Sequence, residues 1–208
     1  AAYIARILSE MGYTCASYSY WTFGDVFEES GIAFTPFSGC FGLVTNGGIP
    51  KPTFWAFSFF NKLGSDAIAR DNNYILTRDK YGNIHGVAWN PVEEASASED
   101  DDTVILDLDI AVENGDYAII SRLVDEKVCN PLKTWINLGS PAYPSKEQIE
   151  ILKESAVPRL STARTVADNG IINFKMNLSR NALLYFQIQK IKPQLDRGFK
   201  PERIQGAL

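Results

Sequence analysis

The chain has 208 residues, enough for one or two domains, and its 45% hydrophobic and 22% charged residues are those of an ordinary globular protein. Its formal net charge of −5 at pH 7 argues against a nucleic-acid partner, because binding to phosphates needs a concentrated excess of Lys and Arg. No apolar run reaches the ~18 residues of a membrane span, and the first residues lack the layout of a signal peptide.

Residues 1–64 show the order helix, strand, long loop, helix. Apolar residues recur at helical spacing from Tyr3 to Met11, and because a natural N-terminus seldom opens inside a helix, we expect further sequence upstream. The segment Cys15–Phe23, rich in aromatic and small residues, predicts a strand, and a glycine-rich loop follows it. Pro52 is well placed in the first turn of a second, strongly apolar helix that should end near Gly64.

This order predicts an α/β fold for residues 1–64, one segment of a (β/α)₈ barrel with the long loop at the carboxyl end of its strand. In such barrels these loops build the active site. One strand cannot close a barrel, and a parallel strand needs partners on both edges. The segment should therefore be incomplete by itself.

Residues 65–191 change to short strands separated by turns, which predicts an antiparallel β-sandwich. The run Lys80–Asn83 is typical of a hairpin turn, and Ser145 with Gln148 forms a capping-box pattern for a helix from Lys146 to about Ser155. We interpret residues 93–102 as a solvated acidic loop and residues 192–208 as a tail or linker. The predicted strands are Tyr74–Arg78, Ile84–Trp89, Val104–Ile110, Tyr117–Leu123, Ile171–Asn177 and Ala182–Ile188.

The cysteines and the histidine exclude two kinds of site. Cys15, Cys40 and Cys129 are too few and too widely spaced for a disulfide framework or a cysteine metal site, and their odd number favours a reducing, cytoplasmic compartment. A zinc site built on histidine needs several ligands, and His85 is the single histidine. We interpret His85, in a strand-like run, as a structural or surface residue and predict no metal and no cofactor.

Several runs of sequence are more specific than these patterns. They are Tyr20–Glu29, Pro36–Leu43, Gly48–Pro52, Tyr74–Arg78, Trp89–Asn90 and Trp135–Pro141. The first three resemble, in the same order, the segment around the last barrel strand of glycoside hydrolase family 39, the β-xylosidase-like enzymes. The others resemble that family's C-terminal β-domain. The resemblance covers roughly Ala1 to Ile191 and implies the last βα unit of a barrel followed by an accessory β-sandwich.

The resemblance also implies a retaining glycosidase, which uses two carboxylates about 5–5.5 Å apart as nucleophile and acid/base. The family's acid/base Glu lies in an Asn-Glu-Pro motif after the fourth barrel strand, and its nucleophile lies at the end of the seventh. The chain contains no Asn-Glu-Pro motif. We therefore assign no catalytic residue here, expect both carboxylates upstream of Ala1, and expect the isolated chain to be inactive.

The resemblance implies substrate-binding roles for Trp21, Asp25, Glu28, Glu29 and Phe37. Glu28 or Glu29 would accept hydrogen bonds from sugar hydroxyls, because ionised acceptors form stronger hydrogen bonds. Trp21 would offer an apolar platform, and Asp25 would orient these groups or cap the loop. Neighbouring residues on an extended segment point to opposite sides, so Glu28 and Glu29 are poorly placed as a catalytic pair. Without the resemblance, such an aromatic residue is more often core and such an acidic pair is usually solvated.

The sequence departs from the family pattern at two places. Ser38 and Cys40 stand where the family more often has His and Gly, and Val128-Cys129 stands where it more often has His-Gly. The predicted function is that of the C-terminal part of an enzyme acting on β-xylosides or related glycosides, with a carbohydrate substrate and an N-terminal barrel segment as partners. Two alternatives stay open: a free-standing carbohydrate-binding or interaction module, and a purely structural accessory domain.

Overall fold

The computed structural model describes residues 1–12, 14–26, 34–94, 96, 98 and 101–192. Its helices and strands form three layers, with one antiparallel sheet in the middle, a two-stranded ribbon on one face and two helices on the other. In chain order the elements are α1 (Ala2–Met11), α2 (Pro52–Phe60), β1 (Asp66–Asp71), β2 (Tyr74–Arg78), β3 (Ile84–Trp89), β4 (Val104–Ala111), β5 (Gly115–Val124), α3 (Pro131–Asn137), α4 (Lys146–Ser155), β6 (Arg159–Ala167), β7 (Ile171–Leu178) and β8 (Leu183–Lys190).

The main core lies between the sheet and the ribbon. The sheet has the strand order β1-β2-β3-β8-β5-β6, and β4 pairs with β7 in the ribbon. Because side chains alternate across a strand, every second residue of the central strands faces the ribbon. Ile84, Phe186 and Ile188 of the sheet are buried against Leu108 and Ile172 of the ribbon. This packing of two antiparallel layers agrees with the predicted sandwich.

Helices α1 and α2 cover the opposite face of the same sheet. Trp89 and Tyr185 are buried there, and the ring of Phe59 on α2 lies 5.5 Å from the ring of Tyr185. Small residues on the helices, Ala5 and Ala56, are also buried and let the helices approach the sheet closely. Burying each of the large side chains contributes about 1.5–3 kcal/mol. All six residues of β3 are consequently buried.

A third, smaller cluster joins the helical hairpin α3–α4 to the loop before α2. Ile49, Leu152 and Ala156 are buried in it, with Phe37 and Trp135 packed against them. The indole nitrogen of Trp55 on α2 donates to the carbonyl of Ala156 at 2.8 Å. These contacts fix the position of residues 34–50. No helix in the described part of the chain is long and apolar enough to cross a membrane.

Several predicted elements are confirmed. Strands β2 and β3 and helix α1 follow the predicted ranges within one residue, and Pro52 is the first residue of α2. Ser145 and Gln148 form the capping box that starts α4. Gly82 takes φ 84° in the turn between β2 and β3, where its amide donates to the carbonyl of Asp79.

The predicted strand Cys15–Phe23 is wrong. Residues 15–23 adopt no strand, and the nearest bridge joins Gly24 to Val44. A buried parallel strand needs a partner on each edge, and no strand of the described residues lies beside this segment. The antiparallel layers and the flanking helices are therefore observed, whereas the barrel segment stays a prediction. From residue 193 onward the predicted tail lies outside the described residues.

Candidate functional site

A buried carboxylate joins two loop segments, residues 21–26 and 40–51. The Asp25 side chain is 2% exposed, and the amide of Gly42 donates to its Oδ1 at 2.7 Å. Lys51 Nζ lies 2.8 Å from each carboxylate oxygen and donates to the carbonyl of Cys40 at 2.7 Å. The contact of Lys51 with Oδ2 is an ion pair by distance without hydrogen-bond geometry, and Oδ2 accepts no hydrogen bond from the described residues. Its charge is therefore balanced by the ion pair with Lys51.

Backbone hydrogen bonds reinforce this junction. The amides of Leu43 and Val44 donate to the carbonyls of Thr22 and Phe23, each at 3.0 Å. Gly42 is needed here for lack of space, because a Cβ on it would lie 2.5 Å from the backbone nitrogen of Asp25. The two segments thus approach more closely than a side chain at Gly42 would permit.

These two segments and the loop between them expose an unusual number of large apolar side chains. Each of these side chains is between 62% and 72% exposed. They are Trp21, Phe23, Val26, Phe34 and Phe41, which we call the exposed loop residues. The peptide bond between Trp21 and Thr22 is cis. Exposed large apolar residues in such numbers are typical of a ligand-binding or protein-binding surface.

The structure separates the predicted substrate-binding residues by environment. Trp21 is exposed, as a sugar platform requires. Asp25 is buried in the junction, which suits the predicted orienting role, and Phe37 is half-buried with its ring 5.7 Å from the ring of Trp135. Glu28 and Glu29 lie outside the described residues. The substrate-binding assignment of all five stays a prediction.

Lys51 is the residue of this junction that sequence reasoning missed. It belongs to the Gly48–Pro52 run that carries the resemblance, yet nothing in the run itself indicates a charge partner. Asp25 lies 26 positions earlier in the chain. The signal available from sequence was a lysine directly before the helix-initiating Pro52, in a stretch from residue 34 to 50 that lacks other charged residues.

Cys129 occupies a backbone conformation that favours glycine. Its φ is 59°, in the left-handed region, and the family pattern more often has Gly there. The thiol is buried and donates to the carbonyl of Ala156 at 2.9 Å. Burial, followed by the charge of Asp125, raises the pKa of this thiol to about 12. The cysteine therefore combines an unfavourable backbone angle with a packed, unreactive side chain.

The other family departure lies in the loop itself. Ser38 Oγ and Cys40 Sγ are 2.6 Å apart, with Gly39 between them at φ 89°. These two polar groups therefore face each other in the position where the family more often has His and Gly.

His85 is confirmed as a structural residue. It is buried between strands, with Nδ1 2.8 Å from the hydroxyl of Tyr185 and Nε2 3.1 Å from Oδ2 of Asp79. Burial favours the neutral form of Asp79, but hydrogen bonds from Asn83, His85 and the amide of Tyr81 outweigh it and lower its pKa to about 2. The histidine therefore stabilises the turn between β2 and β3 through its contact with Asp79.

Comparison with known proteins gives consistent results at the level of sequence. The model of Glycosyl hydrolases family 39 matches residues 1–173. A Beta-xylosidase of Geobacillus stearothermophilus is 41% identical over 194 residues, covering 93% of this chain and 38% of the relative. A Beta-xylosidase of Caldicellulosiruptor saccharolyticus is 30% identical over 207 residues, covering 91% of this chain and 40% of the relative. The chain thus spans about two-fifths of the length of these curated relatives.

Solved structures share the fold. A GH39 enzyme from Xanthomonas axonopodis pv. citri superposes with a TM-score of 0.79 at 22% identity, covering 91% of this chain and 40% of that one. A monomeric beta-xylosidase from Caulobacter crescentus CB15 gives a TM-score of 0.76 at 21% identity, covering 92% and 41%. The fold of this chain therefore recurs as part of larger proteins. Together with the match over residues 1–173, this shows that the chain belongs to glycoside hydrolase family 39.

Proposed function

We propose that this chain is the C-terminal portion of a retaining glycosidase that hydrolyses β-xylosides or related glycosides. In this proposal the chain contributes sugar-binding residues, and another part of the protein supplies both catalytic carboxylates. Membership of family 39 and the 38% and 40% coverage of two relatives named Beta-xylosidase support it.

The carboxylates of the two loop segments also favour a proposal in which the catalytic carboxylates lie elsewhere in the protein. Retention requires two carboxylates about 5–5.5 Å apart. Within residues 14–26 and 34–51, Asp25 is the one carboxylate, and it is buried against Lys51; Glu28 and Glu29 stand between these ranges, outside the described residues. An engaged and buried carboxylate is poorly suited to attack a sugar or to exchange protons with it.

The observation that carries the proposal is the exposed Trp21 on a loop that a buried ion pair holds in place. An exposed indole offers an apolar face to the C–H face of a sugar. A loop fixed before the sugar arrives loses less conformational entropy on binding. The ion pair between Asp25 and Lys51 fixes the loop in this way, and Asp25 lies four residues after Trp21 in the chain.

The experiment uses two proteins and 4-nitrophenyl β-D-xyloside. The isolated chain is expected to show no turnover above the buffer rate. A chimera, in which this chain replaces the segment that it matches in the Geobacillus stearothermophilus relative, is expected to hydrolyse the substrate. In the chimera, Trp21→Ala should lower kcat/KM by about ten- to a hundredfold, the range for loss of a binding hot spot.

The matched control is Leu160→Ala, which removes another large exposed apolar side chain from β6, outside residues 14–51, and should leave kcat/KM unchanged. A folded chimera without activity would overturn the proposal, as would turnover by the isolated chain that Glu28→Gln or Glu29→Gln abolishes. Equal effects of Trp21→Ala and Leu160→Ala would show that the sugar platform is assigned to the wrong residue.

A further inference from the structure

A cleft of about 490 Å³ opens at one end of the sandwich, between the six-stranded sheet and the connection from β4 to β5. Its lining includes the apolar residues Ile84, Ala111 and Val112. None of its lining residues belongs to residues 14–51, so it is separate from the exposed loop residues. We call it the sandwich-end cleft.

The alternation of the strands places charged side chains in this cleft. Leu76 on β2 and Ile188 on β8 face the ribbon within the main core. Arg78 and Lys190 follow two positions later on the same faces, where the core ends, and both line the cleft. Two cations thus stand at the open edge of an apolar layer.

Among the described residues, only one of the two cations has an anionic partner. Lys190 Nζ lies 2.6 Å from Oε2 of Glu113, which also lines the cleft. Arg78 is half-buried, and its guanidinium forms no hydrogen bond or ion pair within the described part of the chain. Its cross-strand partner in register is Asp66, yet no ion pair joins the two. Arg78, Lys190 and Glu113 therefore leave a net charge of +1 in a chain whose net charge is −5.

An exposed aromatic ring stands at the rim. Tyr81 is 77% exposed on the turn between β2 and β3 and lines the cleft. The backbone of this turn is held by Asp79, which accepts hydrogen bonds from the amides of Tyr81 and Asn83 at 2.8 and 2.9 Å. Asn83 also lines the cleft. The cleft thus combines apolar lining residues, an exposed aromatic ring on a held turn, and a guanidinium without a partner among the described residues.

We propose that the sandwich-end cleft binds an acidic sugar unit, a pyranose ring that carries one carboxylate. Arg78 would bind the carboxylate with two parallel hydrogen bonds, the geometry that a guanidinium fork suits. The ring of Tyr81 and the apolar lining residues would contact the C–H face of the sugar, and Asn83 would form hydrogen bonds with its hydroxyls. The choice of a sugar over other ring carboxylates rests on family membership. The proposal can be tested without catalytic activity, because binding is measured on this chain alone.

The test measures amide chemical shifts in the full chain during titration with three probes. Methyl β-D-glucuronide carries the ring and the carboxylate, methyl β-D-glucoside carries the ring without the carboxylate, and acetate carries the carboxylate without the ring. We expect the glucuronide to shift the amides of residues 78–84 and 111–113 and to bind at least tenfold more tightly than the other two, as loss of a charged hydrogen bond implies.

Variants assign the binding to residues. Arg78→Met should weaken glucuronide binding about ten- to a hundredfold. Arg78→Lys keeps the charge but not the forked guanidinium, so its affinity should lie between those of the unchanged chain and Arg78→Met. Arg159→Met removes an exposed arginine of β6 outside the cleft and should have no effect. Tyr81→Ala should weaken binding, whereas Tyr143→Ala should not. Unchanged spectra of the β3 and β8 amides would show that each variant is folded.

Any of four results would overturn the proposal. Glucoside binding as tight as that of the glucuronide would remove the role of the carboxylate, and acetate binding as tight would remove the role of the ring. Shifts that avoid residues 78–84, or equal effects of Arg78→Met and Arg159→Met in folded protein, would place the acidic sugar elsewhere.

Discussion

Replacing Lys51 by methionine tests whether the buried ion pair holds the loop. The variant Lys51→Met keeps an unbranched side chain of similar length but removes the ammonium that lies 2.8 Å from both oxygens of Asp25. Breaking a buried pair by removing one partner costs about 3–5 kcal/mol, because the remaining charge stays buried without compensation. Since the Lys51 side chain is 18% exposed, water moderates the effect, and we expect the lower end, about 3 kcal/mol.

This loss should open the loop without unfolding the protein. The two larger hydrophobic clusters contain no residue from 14 to 51. A local opening made easier by about 3 kcal/mol increases the exchange rate of the loop amides by roughly a hundredfold. Hydrogen exchange followed by NMR should show this increase at Asp25, Gly42 and Val44, with no change in β3 and β8.

Two further variants make the test specific. Lys133→Met removes an exposed lysine from α3 and should leave exchange of the loop amides unchanged. Asp25→Asn added to Lys51→Met removes the stranded charge and should restore much of the protection. The reasoning is refuted if Lys51→Met leaves the loop amides as protected as in the unchanged chain, or if the double variant is no better protected than the single one.

Three other predictions follow from the described contacts. Gly86→Ala should lower the free energy of unfolding in urea by about 1–3 kcal/mol or more, because its Cβ would overlap the ring of the fully buried Phe186. Iodoacetamide at pH 8 should label the exposed Cys15 quickly and leave Cys129 unlabelled until the protein unfolds, since burial raises the pKa of the Cys129 thiol to about 12. Asp79→Asn should lower the free energy of unfolding by about 1 kcal/mol near pH 6, because the folded pKa of Asp79, about 2, lies below the unfolded value of 3.8. The difference between the two proteins should vanish as the pH falls from about 4 to 2. Urea titrations that give a difference independent of pH would contradict this prediction.

The sheet shows which strands a sequence pattern can reveal. Strands β2 and β3 were predictable to the residue because their apolar residues are buried and turn residues bound them on both sides. Strands β1 and β6 gave no such signal. Three of the six residues of β1 are charged, and β6 is exposed along most of its length. Both lie at the edges of the sheet, where backbone pairing rather than burial forms the strand.

The loop shows the opposite failure. Residues 15–23 have the composition of a buried strand, but composition indicates only a preference for burial and not the presence of a partner. The family resemblance pointed to Trp21 and Asp25, and the structure gives the two residues opposite environments. The ion pair of Asp25 with Lys51 depends on folding across 26 positions. A contact of that separation leaves no periodic signal in the sequence.

The burial of β3 on both faces limits which segments of this chain could be transferred to another protein by recombination. A segment that began at Ser65 would carry Val87, Trp89 and Tyr185 without the helices that cover them. Such an uncovered apolar face promotes aggregation. Recombination that moved only the sandwich into a new protein would therefore yield a product that aggregates. The smallest unit that could be transplanted in soluble form must include α1 and α2 together with the strands.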